Sequence, residues 1–359
     1  MREGWVCEDF GNCIKLKSGD NLTAKKMVAG SFPVYGGNDI AGYHNQYNLQ
    51  GDNIIIGRVG AQCGNSRLIR EKIWLTDNAF KITDLKYEFD FQFLNYLLNF
   101  VGLRDYARQA AQPVISNSSL KKVQLTFPKS IEEQKQIVAI LDDAFAAIEQ
   151  AQANIEKNID NAKELFQSKL NEIFSQKGEG WEEKTFKDVC VLQRGYDLPK
   201  RLRVQGDYPL VSSSGIIDSH VESKVSAPGV VTGRSGSIGN LFYIEEDFWP
   251  LNTTLYVKDF KGNLEEYVYY FIKQFDLKRF SSGAGVPTLN RNFVHDEIVF
   301  STNSTKVQKK IVTQLNSLNS QAEQIQATYK QKLTNLEDLK KSLLEQAFAG
   351  ELTDKDMPA

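Results

Sequence analysis

The stretch "SIEEQKQIVAIL" occupies residues 130–141, and "STKVQKKIVTQL" occupies residues 304–315. One chain thus opens the same amphipathic helix twice, at a shift of 174. From Ile137 the apolar positions continue at Leu141, Ala144, Ile148, Ala151, Ile155, Ile159, Ala162, Phe166, Leu170 and Ile173. Steps of three and four make a single helical stripe. No Pro or Gly interrupts it between Pro128 and Gly178. The second run carries Ile311, Leu315, Leu318, Ala322, Ile325, Tyr329, Leu333, Leu336, Leu339, Leu343 and Ala347, and stops before Gly350, a residue suited to a helix C-terminus. Each run predicts a helix of roughly 65 Å, too long to lie inside one small domain, and a narrow stripe asks for a partner helix. The first run holds nine acidic residues against four lysines, the second seven lysines against four acids. Opposite charge favours pairing of the two with each other, although both faces could simply be solvated.

Working outward, the rest of the chain is also written twice. "GWVCEDFGNCIKLKSG" (4–19) answers to "GWEEKTFKDVCVLQRG" (180–195), setting Trp5 on Trp181, Phe10 on Phe186 and Gly19 on Gly195 at a shift of 176. "FPVYGGNDIAGYH" (32–44) falls on "YPLVSSSGIIDSH" (208–220), which aligns His44 with His220. "NIIIGRVGAQCGN" (53–65) falls on "GVVTGRSGSIGN" (229–240), with Arg58 over Arg234, and Trp74 then meets Trp249. "QPVISNSSLKKVQLTFP" (112–128) matches "VPTLNRNFVHDEIVFST" (286–302) more loosely. Ordered matches at a nearly constant shift mean duplication of a whole domain plus helix, far longer than a solenoid repeat. The order domain, helix, domain, helix predicts a pseudo-twofold arrangement with two antiparallel helices. "LFQSKLNEIFSQKGEGW" (165–181) resembles "LKKSLLEQAFAGELT" (339–353), so the chain's end is expected beside Gly4 and Trp5, closing a ring. The expected divisions are 1–130, 131–176, 177–304 and 305–350, with a tail at 351–359.

Composition narrows the function. A hydrophobic share of 41% with 25% charged residues is that of a globular protein. The start "MREGWVCEDF" has no apolar core of a signal peptide, and no run approaches a membrane span, so a cytoplasmic setting is expected, with no membrane partner. Cys7, Cys13, Cys63 and Cys190 form no metal-binding spacing and are expected to be small buried apolar residues in a reducing compartment. No Walker A loop, dinucleotide fingerprint or nucleophile–base pair is present, so no catalytic residue, cofactor or metal is expected. For His44 and His220 a hydrogen-bonded structural role is expected. A net charge of −2 argues against a strong unspecific grip on nucleic acid but leaves room for a local basic face.

Each globular half mixes strands with helices, which gives the class α+β. "NIIIG" (53–57) and "GVVTG" (229–233) read as buried strands, and 87–109 and 264–280 as helices.

The quoted segments "FPVYGGNDIAGYH", "GDNIIIGRVGAQCGN" and "QPVISNSSLKKVQLTFPKSIEEQKQIVAIL" resemble the target-recognition domain and conserved helix of type I restriction–modification specificity subunits. The second copy, ending "LLEQAFAGELT", is similar but diverged: Gln112 becomes Val286, Pro128-Lys129 becomes Thr302-Asn303, and Glu-Glu-Gln becomes Lys306-Val307-Gln308. The resemblance implies a non-catalytic subunit that recognises double-stranded DNA, with each domain reading one half of a split target. It also implies that the helices set the spacing and hold methyltransferase subunits, expected to number two, with motor–nuclease subunits joining for cleavage. The copies differ at "GRVGAQ" and "GRSGS", so unlike half-sites are expected.

Side chains that present donors and acceptors from loops are the candidates for DNA contact. In the first copy these are Arg58, Gln62, Arg108, Gln109, Gln112, Asn117 and Lys121; in the second, Arg194, Ser213, Ser214, Arg234, Ser235, Ser282, Arg291 and Asn292. For Arg58 and Arg234, shared by both copies directly after a strand, a structural role stands beside a DNA role. For Asn117 and Ser116, turn formation is the stronger explanation. Two other readings compete: a duplicated protein-binding scaffold without DNA recognition, and a DNA-cleaving or methylating enzyme.

Overall fold

The computed structural model describes residues 2–108, 112–175, 180–283 and 287–353. The chain divides into two compact units. The first takes Met1–Asn154 with Lys332–Ala359; the second takes Ile155–Gln331.

In the first unit, Ile14–Ser18, Ala79–Leu85, Asn53–Gly57 and Ser66–Ile69 form an antiparallel sheet in that order. A three-stranded sheet orders Ile40–His44, Phe32–Tyr35 and Trp74–Leu75, the last pair parallel. Trp5–Asp9 pairs with Gln124–Pro128, placing Trp5 opposite Pro128. The expected strand 53–57 is present, with Ile54, Ile55 and Ile56 buried. The expected helix 87–109 is shorter, spanning Phe91–Phe100. Asp90 stops it at the front by accepting from the Phe93 N–H at 2.9 Å. Gly102, at φ 68°, breaks the chain into a short 3-10 turn, Leu103–Tyr106, at the back. The helix buries Phe93, Leu94, Leu97 and Leu98 in the core.

The second unit repeats this pattern with Val191–Arg194, Thr254–Asp259, Gly229–Gly233 and Leu241–Ile244, and with Gly215–His220, Tyr208–Ser212 and Trp249–Pro250. Trp181–Thr185 pairs with Ile298–Thr302. The expected helix 264–280 is Glu265–Lys273, followed by a 3-10 turn at Leu277–Phe280 whose Asp276 cap redirects the chain.

The two long helices are Ile131–Ser175 and Thr305–Ala349, 45 residues each. Within the first unit their segments run antiparallel. Glu133 meets Thr353 at 2.9 Å, the Lys340 ammonium lies 4.8 Å from the Phe145 ring centre, and Gln152 donates to Glu337 at 2.6 Å. Phe348 packs on Phe93 and stacks on Phe100 at 4.8 Å. In the second unit Phe166 and Leu170 share a core with Leu315, Leu318 and Ala322.

One buried glutamine explains why the helix start is written twice. Gln134 is fully buried; its amide donates to Pro128 O at 3.0 Å and Glu88 O at 3.2 Å, and its carbonyl accepts from Asp90 N at 2.8 Å. Gln308 does the same work with Thr302 O at 2.7 Å, Asn263 Oδ1 at 2.6 Å and Leu264 N at 3.0 Å. Each ties the first turn of a long helix to the preceding strand and to the segment that enters the short helix. Of Glu-Glu-Gln and Lys-Val-Gln only the glutamine is common, because only it is enclosed. A tyrosine adds a second tie: Tyr96 donates to Asp142 at 2.5 Å and Tyr270 to Asn316 at 2.6 Å. Burial, reinforced by the Asp142 bond, pushes the Tyr96 phenol up to about 12.

The end of the second long helix does return to Trp5. Gly350 closes the second long helix at φ 81° against the Trp5 indole. Arg2 donates to Gly350 O and, at 3.0 Å, to Thr353 O. Three of the cysteines are buried, but Cys7 is exposed, correcting the expectation for it. It sits on the outward phase of its strand and donates to Gln124 at 3.2 Å. Among the described residues no helix is long and apolar enough to cross a membrane.

Candidate nucleic-acid interface

In each unit a glycine-arginine turn follows the central strand. An added Cβ at Gly57 would lie 2.4 Å from Gly37 O, and one at Gly233 would lie 1.9 Å from Ser237 O. Only glycine lets the backbone pass this closely. The next residue is then held on both sides. Arg58 N donates to Asn78 O at 2.9 Å, and Arg58 O accepts from Ile115 N at 2.9 Å. Arg234 N donates to Thr253 O at 2.8 Å, and its carbonyl accepts from Leu289 N at 2.8 Å. The arginine backbone therefore staples the sheet to the segment that leads into a four- or five-residue helix.

The second unit has a cleft here of about 400 Å³, lined by Arg194, Arg234, Ser282, Asn290, Arg291 and Asn292 together with Leu255, Thr288 and Leu289. Five of the residues singled out from the sequence thus meet in one place. Ser235 borders them, pairing with Thr288. A neighbouring cleft of about 600 Å³ includes Asn240, Lys278, Ser281 and Pro287 and so borders the ribbon of Ser281–Ser282 and Thr288–Leu289. Ser213 stands beside Gly233 and Gly236, its N–H donating to Thr253 Oγ1 at 3.3 Å. Ser214 is engaged in its own turn, its hydroxyl 2.9 Å from that of Ser212.

The short helix Arg291–His295 is fixed at both ends. Asn290 Oδ1 accepts from Asn292 N at 3.0 Å. His295 Nε2 accepts from Leu192 N at 2.9 Å, which ties the helix to the strand carrying Arg194. That bond requires an unprotonated Nε2. Burial first, then the nearby charges of Arg291 and Lys187, hold the imidazole below its ordinary range.

In the first unit Val114 bridges to both Val59 and Arg108, which brings Arg58, Arg108 and Gln112 around one segment. Gly60 N donates to Pro113 O at 3.1 Å, so the turn holding Gln62 joins them. Gln62 is exposed, and its side chain accepts from Asn65. Arg58 is turned inward: it donates to Asp77 O at 3.3 Å and lies over the Phe80 ring at 5.4 Å. Asn117 donates to Leu16 O at 3.3 Å and opens the helix that Ser116 and Ser119 close with a reciprocal capping pair. Lys121, one turn on, lies against Gly11. Gln109 lies outside the described residues.

His44 and His220 have structural partners: Nδ1 accepts from Val28 N at 3.0 Å and from Val204 N at 3.1 Å, and each ring stands edge-on to a tryptophan at 5.2 Å. Asn290, Lys278 and Asn240 were not singled out from the sequence. Asn290 carried a readable signal, a capping residue before a short apolar-spaced helix. Lys278 and Asn240 line the neighbouring cleft, Asn240 from the hairpin turn after Gly233 and Lys278 from the distant 3-10 turn at Leu277–Phe280.

A family model described as "Type I restriction modification DNA specificity domain" matches residues 6–159 and again 178–335. A curated relative, the "Type I restriction enzyme EcoprrI specificity subunit" of Escherichia coli, is 31% identical over 139 residues, covering 37% of this chain and 34% of its own length. The match to that relative therefore spans about a third of it. A solved chain described under "Structural basis underlying complex assembly and conformational transition of the type I R-M system" has a TM-score of 0.79 at 14% identity, over 98% of this chain and 99% of its own. The HsdS subunit from Thermoanaerobacter tengcongensis has a TM-score of 0.59 at 13% identity, over 98% of each. At these identities the likeness to both structures is one of fold.

Proposed function

Because the chain belongs to the family of type I restriction modification DNA specificity domains, matched over both of its repeats, we propose that it is the DNA-recognition subunit of a type I restriction–modification complex and has no catalysis of its own. Each unit reads one half of a bipartite, asymmetric target in double-stranded DNA. The long helices set the interval between the halves and dock two methyltransferase subunits, and motor–nuclease subunits join this assembly for cleavage. The domain divisions expected from the sequence, 1–130 and 177–304 as readers and 131–176 and 305–350 as spacers, are kept in this reading.

One observation carries it. The same staple of glycine, arginine and short helix recurs in both units, but its lip differs: Ser235 and Arg291 stand where the first unit has Val59 and Asn117. A repeated frame with unlike donors suits a reader of two unlike sequences, since phosphate contacts position a protein and base contacts specify it. Arginine-lined concavity also matches what a phosphate backbone or a guanine edge needs.

Co-expression with the cognate methyltransferase subunit in a host lacking adenine methylation, followed by long-read mapping of modified bases, tests the proposal. The expected motif is two short, different blocks separated by unread positions. An uninterrupted motif, or a purified complex that protects no DNA, would refute it.

A further inference from the structure

Resting on that reading, we infer that Arg291 is a base-reading residue of the second unit, and that the half-site it faces contains a guanine. The cleft it borders is lined by three arginines and, among the described residues, by no carboxylate. The three arginines are not equivalent. Arg194 faces Asp197, its Nη2 3.2 Å from both carboxylate oxygens, so its charge is already answered. Arg234 belongs to the frame common to both units: its backbone is bonded on both sides, and its counterpart Arg58 makes the same backbone bonds. Arg291 is exposed, lies on the cleft lip, and has no ion-pair partner among the described residues.

Its position also differs between the repeats. Asn117, at the same place in the first unit, donates to the Leu16 carbonyl and so serves the local fold. Arg291 has been released from that duty: both short helices carry an N-cap, Ser116 and Asn290, but the second is tied to its strand by His295 on Leu192 N instead. A side chain on a braced helix, free of local partners and unlike its counterpart, has the properties of a specificity determinant. A guanidinium presents two parallel N–H groups that match O6 and N7 of guanine, which is the commonest specific arginine contact in the major groove. A lysine keeps the charge but loses the fork.

The test uses the chain in its methyltransferase complex, as wild type, Arg291→Ala and Arg291→Lys, with genome-wide methylation mapping and thermal unfolding of each complex. Both variants are expected to relax one guanine position in one block by about 5- to 150-fold, the range of a good bidentate contact. The other block stays unchanged. An unaltered motif in Arg291→Ala overturns the inference. So does wild-type selectivity in Arg291→Lys, or a uniform loss across all sites, since both mark a phosphate contact. Relaxation at a position other than guanine also overturns it. If Arg291→Ala unfolds, the Lys variant decides alone. A wild-type complex with no split motif would instead refute the functional reading itself, so the two failures are distinguishable.

Discussion

Gln308 donates to Asn263 Oδ1 at 2.6 Å, both side chains buried, and so joins the first turn of the second long helix to the loop before Glu265–Lys273. Replacing Gln308 with Leu would strand the Asn263 carbonyl, Thr302 O and Leu264 N together. Buried groups left without partners make this a loss of about 3 kcal/mol in denaturant unfolding. Gln134→Leu should weaken the first unit comparably, whereas Gln136→Leu, on an exposed position of the same turn, should change little.

Glu133 gathers the strand at Trp5 and the segment after the second long helix. It accepts from the Trp5 indole at 3.1 Å and from Thr353 at 2.9 Å, with Arg2 at 3.6 Å. Glu133→Ala is expected to cost about 1–2 kcal/mol, and Glu133→Gln less, since its amide oxygen still accepts.

His295 makes the second unit sensitive to acid. Its folded pKa is lowered, so the unfolded chain takes up a proton first as pH falls. The stabilisation is therefore complete above the unfolded value of about 6.5 and is lost progressively below it. Urea unfolding between pH 5 and 8 should show this decline, and His295→Gln, which keeps an acceptor for Leu192 N without the titration, should flatten it.

Gly233→Ala should disrupt the Arg234 staple, because the added carbon meets the Ser237 carbonyl backbone at 1.9 Å. A loss of about 2 kcal/mol or more is expected. Gly229 is no suitable control, since its Cβ would strike Phe248 at 2.3 Å; Gly262, with open space but φ 78°, should lose only about 1 kcal/mol.

On the proposed reading, a net charge of −2 predicts that the isolated chain binds DNA weakly at physiological salt and tightly only once methyltransferase partners add basic surface. Fluorescence anisotropy with and without the methyltransferase measures the difference. Nanomolar, sequence-specific binding by the chain alone would contradict it.

The duplication and both long helices were legible because each rests on local periodicity and on residues such as Gln134 and Gln308 whose environment admits no substitute. The helix ends are not legible, since apolar spacing continues past a start that only the Asp90 bond to Phe93 N marks and past a break that only the φ of Gly102 marks. The cleft was half legible. Arg194, Arg234, Ser282, Arg291 and Asn292 were named from residue type, yet their convergence depends on pairing between Ser281–Ser282 and Thr288–Leu289 that no local signal encodes. Arg58 was named for the same reason, and its inward turn onto Phe80 follows from packing alone.

Ala347 and Phe348 complete the core that begins at Trp5. The second unit is one unbroken stretch of chain, whereas the first is not whole until Lys332–Ala359 arrives. Synthesis runs from the amino end, so the opening piece of the first unit must wait until the whole second unit has been made. Losing the segment from Lys332 onward would thus damage the unit that opens at Trp5 and leave Ile155–Gln331 intact.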